Sequence, residues 1–199
     1  MSIVFISGSP SARSRSALLL SSVRERIAAQ GELTRWIALR DLPADALLGA
    51  RVDDIDIAAA VTEVESARAV VLSSPIYKAA YSGLLKAFLD LLPQKALEGK
   101  LVLPVSSAGS PLHVLALDFT IRPVLAALGA REVISPVSAL DSQIVQDAAT
   151  GALALDPIIA HRVDDAIGLL LERLRSQHHD SLRARQSAPI SFSAVQVSV

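Results

Sequence analysis

Three short stretches of this chain carry side chains suited to holding a ligand. The first is Ser7-Gly8-Ser9-Pro10-Ser11-Ala12-Arg13-Ser14-Arg15-Ser16, with five serine hydroxyls and two guanidinium groups. It leads into an expected helix, whose free N–H groups and dipole favour a bound anion. That is the chemistry of a phosphate site, and equally of a serine-rich N-cap with solvated arginines. It is not a P-loop, since no Gly-Lys-Ser/Thr follows, and Gly8 alone does not make a dinucleotide fingerprint. The second stretch, Ser73 to Gly83, holds both tyrosines of the chain, Tyr77 and Tyr81. A tyrosine offers a flat apolar face with a polar tip, suited to the edge of a planar ring. Pro75 fixes the backbone there, and Gly83 would let another backbone come close. Two packed tyrosines beside an N-cap at Ser82 would look the same. The third stretch, Ser106-Ser107-Ala108-Gly109-Ser110-Pro111, leads to His113. Its small residues can present backbone N–H groups to a ligand edge.

Other chemistries lack their residues. With no cysteine, thiol nucleophiles, disulfides and cysteine metal sites are excluded. There is no Gly-x-Ser-x-Gly elbow, no His-Glu-x-x-His and no spacing that ties Ser, His and Asp into a triad. His113 has no second ligand at metal spacing, and His178-His179 reads as solvated. No side chain is therefore expected to be catalytic, and no metal is expected. A phosphorylated planar cofactor that brings its own chemistry fits the three stretches best.

The 199 residues are 51% hydrophobic, with 19 basic and 20 acidic side chains and a net charge of −1. That length suits one domain. The balanced charge provides no field for nucleic acid or an anionic membrane. Asp118 and Arg122 cut the greasiest run well short of the roughly 18 apolar residues that span a bilayer. With no basic leader at the N-terminus, a soluble cytoplasmic protein is expected.

Short apolar runs alternate with longer amphipathic ones. Strands are expected at Ile3 to Ile6, Leu33 to Leu39, Ala69 to Ser73, Leu101 to Val105 and Val133 to Val137. Helices are expected from about Ser14 to Gln30 (ended by Gly31), from Ile55 past Val64, from Ser82 to Leu92, from Leu112 to Leu128 and from Pro157 to Leu174. Pro123 should kink or split the fourth. A short helix could interrupt the irregular stretch from Asp41 to Asp54. Continuous rather than alternating strands imply a parallel sheet covered on both faces, an open doubly wound α/β fold. Ligands in such folds bind beyond the carboxyl ends of the strands, where the three stretches fall. Residues 1–175 are expected to form the domain and 176–199 a mobile tail.

Gly8-Ser9-Pro10 with Ser14-Arg15-Ser16, the block Pro75-Ile76-Tyr77-Lys78-Ala79-Ala80-Tyr81-Ser82-Gly83-Leu84-Leu85-Lys86, Leu91-Leu92-Pro93, Gly99-Lys100, Arg122-Pro123-Val124-Leu125 and Asp141-Ser142-Gln143 together resemble the NADPH-dependent FMN reductase family. The likeness is strongest to its sulfonate-utilisation branch, the reductase halves of two-component alkanesulfonate monooxygenases. The resemblance implies a flavodoxin-like five-stranded sheet of order 2-1-3-4-5. By position, Ser9, Ser14, Arg15 and Ser16 would hold the FMN phosphate. Pro75, Ile76, Tyr77 and Lys78 would line the ribityl chain and isoalloxazine. Ser107, Ala108 and Gly109 would face the pyrimidine edge, with Asp141 and Ser142 nearby. The chain departs from the family at Ala108, where Thr-Gly-Gly is usual. It departs again at Phe119, in place of an inserted tyrosine at the subunit interface.

The implied activity is hydride transfer from NADPH, or NADH, to flavin N5, with reduced FMN passed to an FMNH2-dependent monooxygenase. A homodimer or homotetramer is implied as well. Arg13 and Lys78 are candidates for the nucleotide 2′-phosphate. Alternatives are an FMN-prosthetic quinone, azo or chromate reductase, and a flavodoxin-like carrier without catalysis.

Overall fold

The computed structural model describes residues 2–11, 13–113, 115–146 and 153–186. A parallel sheet runs in the order β2-β1-β3-β5-β6, built from β1 (Ile3–Ser7), β2 (Thr34–Ala38), β3 (Ala69–Tyr77), β5 (Leu101–Ala108) and β6 (Glu132–Val133). Strand β7 (Val137–Leu140) also pairs with β5, further along the same side. The fifth position of the expected 2-1-3-4-5 order is therefore one strand in two pieces. Pro136 lies at the break, where its missing N–H cannot serve a ladder. The guanidinium of Arg162 donates to the carbonyls of Pro136 and Ser138, at 3.2 and 3.1 Å.

Every residue of β1 and β5 is buried, because helices cover both faces. Side chains alternate between the two. Ile3, Phe5, Val71 and Leu103 pack toward α1 (Arg15–Ala28) and α6 (Pro157–Gln186). Val4, Ile6, Leu72 and Val102 pack toward α2 (Ala44–Leu48), α3 (Ile55–Ser66), α4 (Gly83–Leu89) and α5 (Ala116–Ala127). Phe5 and Phe88 are fully buried, one in each layer. Each such side chain stabilises the fold by about 1.5–3 kcal/mol. Gly31 closes α1 with φ +86, a conformation glycine adopts freely.

Several elements differ from the sequence reading. Strand β3 does not stop near Pro75. It runs to Tyr77 and turns back into β4 (Ala80–Tyr81), with Ile76 opposite Tyr81. Strand β5 extends to Ala108, so Ser106, Ser107 and Ala108 are strand residues rather than an open loop. Parallel pairing of Ser74 with Ser106 and of Pro75 with Ser107 draws both runs into the sheet. The fourth long helix is not split at Pro123; after a 3₁₀ turn at Pro111–His113, α5 is continuous from Ala116 to Ala127. A hairpin of β8 (Ile144–Gln146) and β9 (Leu153–Leu155) was not foreseen. Helix α6 passes Leu174 and continues to Gln186, so that much of the expected tail is helical. Residues 187–199 lie outside the described residues.

Candidate functional site

Parallel pairing puts the carboxyl ends of β1, β3 and β5 on one edge of the sheet. Ser7 stands beside Ser73 and Ser73 beside Val105, with Pro75 beside Ser107 one step further on. All three stretches leave the sheet there, the crevice side of an open α/β fold.

The first stretch is drawn tightly against the second. The Gly8 N–H donates to the Ser73 carbonyl at 2.8 Å. A Cβ at Gly8 would lie 2.7 Å from that carbonyl oxygen and 2.8 Å from the Leu85 Cβ, so no side chain fits. The loop then folds on itself: Ser9 Oγ accepts from the Ser11 N–H at 3.1 Å, and Ser11 Oγ accepts from the Arg13 N–H at 3.3 Å. Ser14 is the N-cap of α1, yet its hydroxyl does not cap the helix. It pairs instead with the Ser16 hydroxyl at 2.7 Å, both residues being buried. The N–H groups of Arg15, Ser16 and Ala17 therefore have no acceptor among the described residues. The first turn contains no acidic residue. Uncapped amides, hydroxyls and the arginines at 13 and 15 form a donor set that fits a phosphate monoester.

The second stretch is a two-residue hairpin, not a loop. Lys78 and Ala79 occupy its turn at φ 50 and φ 62. Asn-Gly normally fills such turns without strain. A non-glycine residue in the left-handed region costs of order 1–3 kcal/mol, a cost often concentrated at functional sites. Tyr77 is half exposed beside the turn, at 51%, whereas Pro75 and Ile76 are buried beneath it. Tyr81 is partly buried, and desolvation raises the pKa of its phenol, which stays neutral and able to donate.

Ser82 ties these parts together, a role that its reading as a simple N-cap missed. Its hydroxyl accepts from the Leu85 N–H at 3.1 Å and donates to the Gly8 carbonyl. Its own N–H donates to the Ser74 hydroxyl at 2.8 Å. One residue thus caps α4, anchors the hairpin and holds the phosphate-type loop. Ser82→Ala is expected to lower stability by about 1–2 kcal/mol, the usual cost of losing a cap, in a denaturant titration. Gly83 differs from expectation, since nothing lies within 4 Å of a Cβ built there. No protein backbone requires a glycine at that position.

In the third stretch, Ser107 and Ala108 are buried in β5, at 4% and 1% exposure. The Ala108 side chain belongs to the core, so it can face a ligand only through its backbone. Gly109 is exposed, and a Cβ there would lie 3.8 Å from an Asp141 carboxylate oxygen. This brings Asp141 to the site edge, while Ser142 is exposed. Beneath, Ser106 donates to the Ser138 hydroxyl at 2.8 Å and links β5 to β7. The hydroxyls of Ser7 and Ser73 are buried with no hydrogen-bond partner among the described residues. Serine at strand ends, among apolar runs, was the sequence signal that could have marked them.

A 2-1-3-4-5 parallel sheet with an uncapped helix start and an aromatic hairpin on its carboxyl edge defines a flavodoxin-like protein. The NADPH-dependent FMN reductase family matches residues 1–144, and the chain belongs to that family. It is an NAD(P)H-dependent FMN reductase, an oxidoreductase for which FMN and NADPH are the flavin and the electron donor. An FMN reductase (NADPH) of Pseudomonas putida KT2440 is 40% identical over 167 residues, covering 84% of this chain and 85% of that one. The NADH-dependent FMN reductase SfnF of Pseudomonas putida is 33% identical over 131 residues, covering 62% and 69%. The apo crystal structure of the NADH:FMN oxidoreductase EMOB superposes with a TM-score of 0.77 at 39% identity, covering 85% of this chain and 87% of that one. No helix among the described residues is long and apolar enough to cross a membrane.

Proposed function

We propose that this protein reduces FMN as a passing substrate and delivers it to an FMNH2-dependent monooxygenase of sulfonate utilisation in the cytoplasm. The observation that carries this reading is the uncapped, acid-free start of α1 facing the same edge as a half-exposed Tyr77. A flavin that must leave needs a phosphate clamp and an open ring slot rather than a closed cavity. The likeness to SfnF supports the sulfonate connection.

Ser9, Ser14, Ser16, Arg15 and the first amides of α1 hold the FMN phosphate. Pro75, Ile76, Tyr77 and the turn at Lys78 form the wall along the ribityl chain and ring. Ser107, Ala108 and Gly109 present backbone to the ring's pyrimidine edge, with Asp141 beside them. FMN held there would supply the redox chemistry, with its N5 as the hydride acceptor. The protein's part is to align the two rings, and no side chain has to move a proton.

Residues 1–175 are the working unit, which assembles as a homodimer or homotetramer. Leu112, Leu115 and Phe119 are exposed at 90%, 66% and 77% on the segment whose helix α5 packs against β4. An apolar stripe of that kind beside a site marks an interaction surface. Phe119→Glu is expected to shift the sedimentation-derived mass toward the monomer; an unchanged mass would remove this face from the assembly.

The deciding experiment measures NADPH oxidation with and without added FMN, on protein of known flavin content. Turnover that requires added FMN is the expected result. Tightly bound flavin with turnover only when a quinone or azo dye is supplied would make FMN a prosthetic group. No oxidation under either condition would leave a carrier.

A further inference from the structure

We propose that the Lys78 ammonium binds a phosphate of the electron-donating dinucleotide rather than the flavin phosphate. This rests on the FMN reductase reading and names a residue that recognises the donor. Most lysine and arginine side chains of the described residues are already engaged. Arg26, Arg35, Arg40, Arg51, Arg68, Lys86, Lys95, Arg122 and Arg173 have carboxylate partners. Lys100 and Arg162 cap carbonyls, and Arg24 bonds Thr34 and lies over the Trp36 ring. Among the described side chains, Arg13, Arg15, Lys78, Arg131 and Arg175 have no such partner. Arg131 precedes β6 and Arg175 lies late in α6, at the amino edge of the sheet. The other three are in the loops of the candidate site.

Those three fall in two places. Arg13 and Arg15 flank the start of α1, where the amides already provide a site for one phosphate. Lys78 is at the hairpin tip. The tip stands four residues beyond Ser74 and four before Ser82, the pair that anchors the hairpin to the Gly8 carbonyl, and so reaches at most about 13 Å past that junction. A strained turn of two non-glycine residues holds it there. A free cation high on the wall beside the exposed Tyr77 suits a second anionic ligand arriving over the ring. The dinucleotide carries a pyrophosphate in both NADH and NADPH, and a 2′-phosphate only in NADPH.

The test compares Lys78→Ala and Lys78→Arg with the parent, each loaded with FMN. The probes are ADP-ribose and its 2′-phosphate, redox-inert analogues whose binding is read by calorimetry. FMN affinity is measured separately by fluorescence quenching. In Lys78→Ala, binding of the phosphorylated probe is expected to weaken about 2–5-fold, the range of one exposed charge pair. Its salt dependence should fall as well, and Lys78→Arg should restore both. Because the turn backbone at Lys78 also lines the flavin wall, FMN affinity should fall by clearly less than probe affinity. Weakening of the 2′-phosphorylated probe alone assigns Lys78 to the 2′-phosphate, and equal weakening of both probes assigns it to the pyrophosphate. Weaker FMN with unchanged probe binding would return Lys78 to the flavin and overturn the proposal. Unchanged binding of all three ligands would also overturn it. Failure of the parent protein to bind FMN would instead sink the flavin reading itself.

Discussion

Gly8→Ala is expected to lower the unfolding midpoint by roughly 2–12 °C and to weaken FMN binding at the same time. The new methyl would sit 2.7 Å from the Ser73 carbonyl and 2.8 Å from the Leu85 Cβ. Neither is the free end of a flexible side chain, so the loop itself must move. Overpacking of this kind costs about 1–3 kcal/mol, and for a chain of this size each kcal/mol lowers the midpoint by about 2–4 °C. Movement of the loop breaks the 2.8 Å bond from Gly8 to Ser73 and displaces the carbonyl that Ser82 holds. Stability and ligand affinity therefore fall together. Gly83→Ala is the control, because its methyl meets nothing within 4 Å at the first position of α4. It should be neutral or stabilising by up to about 1 kcal/mol. Matching melting curves for Gly8→Ala and the parent would disprove the tight seating of the first loop.

Arg15→Ala is expected to weaken FMN about 10–100-fold, the equivalent of one charge-assisted hydrogen bond of roughly 1.5–3 kcal/mol, with little change in melting temperature. Arg15 is exposed at the first position of α1 and has no side-chain partner to lose among the described residues. If the phosphate sits at the start of α1 as proposed, removal of the Arg15 side chain takes away one cation and leaves the helix amides in place. Titration of free FMN, followed by quenching of its fluorescence, measures the effect. A rise in salt should weaken the parent more than the variant. Unchanged affinity would place the phosphate elsewhere.

The Pro75 to Lys86 block and the serine-arginine stretch were legible because each is contiguous in sequence. Residue types alone suggested a phosphate clamp and a ring slot. The hairpin was not legible, since Lys-Ala is a poor signal for a turn that usually takes Asn-Gly. It forms because β3 continues past Pro75, held by Ser107 on the neighbouring strand and by the Ser74–Ser82 bond. The burial of Ser107 and Ala108 was missed for the same reason: small residues after an apolar run read as a loop until a partner strand lies beside them. The break at Pro136 and the extension of α6 to Gln186 likewise depended on neighbours.

By itself, the sequence determined the parallel doubly wound class, because apolar runs continuous over four or five residues demand cover on both faces. It also suggested a kind of ligand, because local runs of hydroxyls, guanidinium groups and tyrosines carry their chemistry without a fold, although a serine-rich N-cap and packed tyrosines read the same way. Only the tertiary structure decided how those runs meet. Ser82 reaching the Gly8 carbonyl and Asp141 coming beside Gly109 join residues far apart in the chain. So does the stacking of Ser7, Ser73 and Val105 in one row across β1, β3 and β5. Such contacts are fixed by strand register and close packing, which act between segments and leave no pattern within either one.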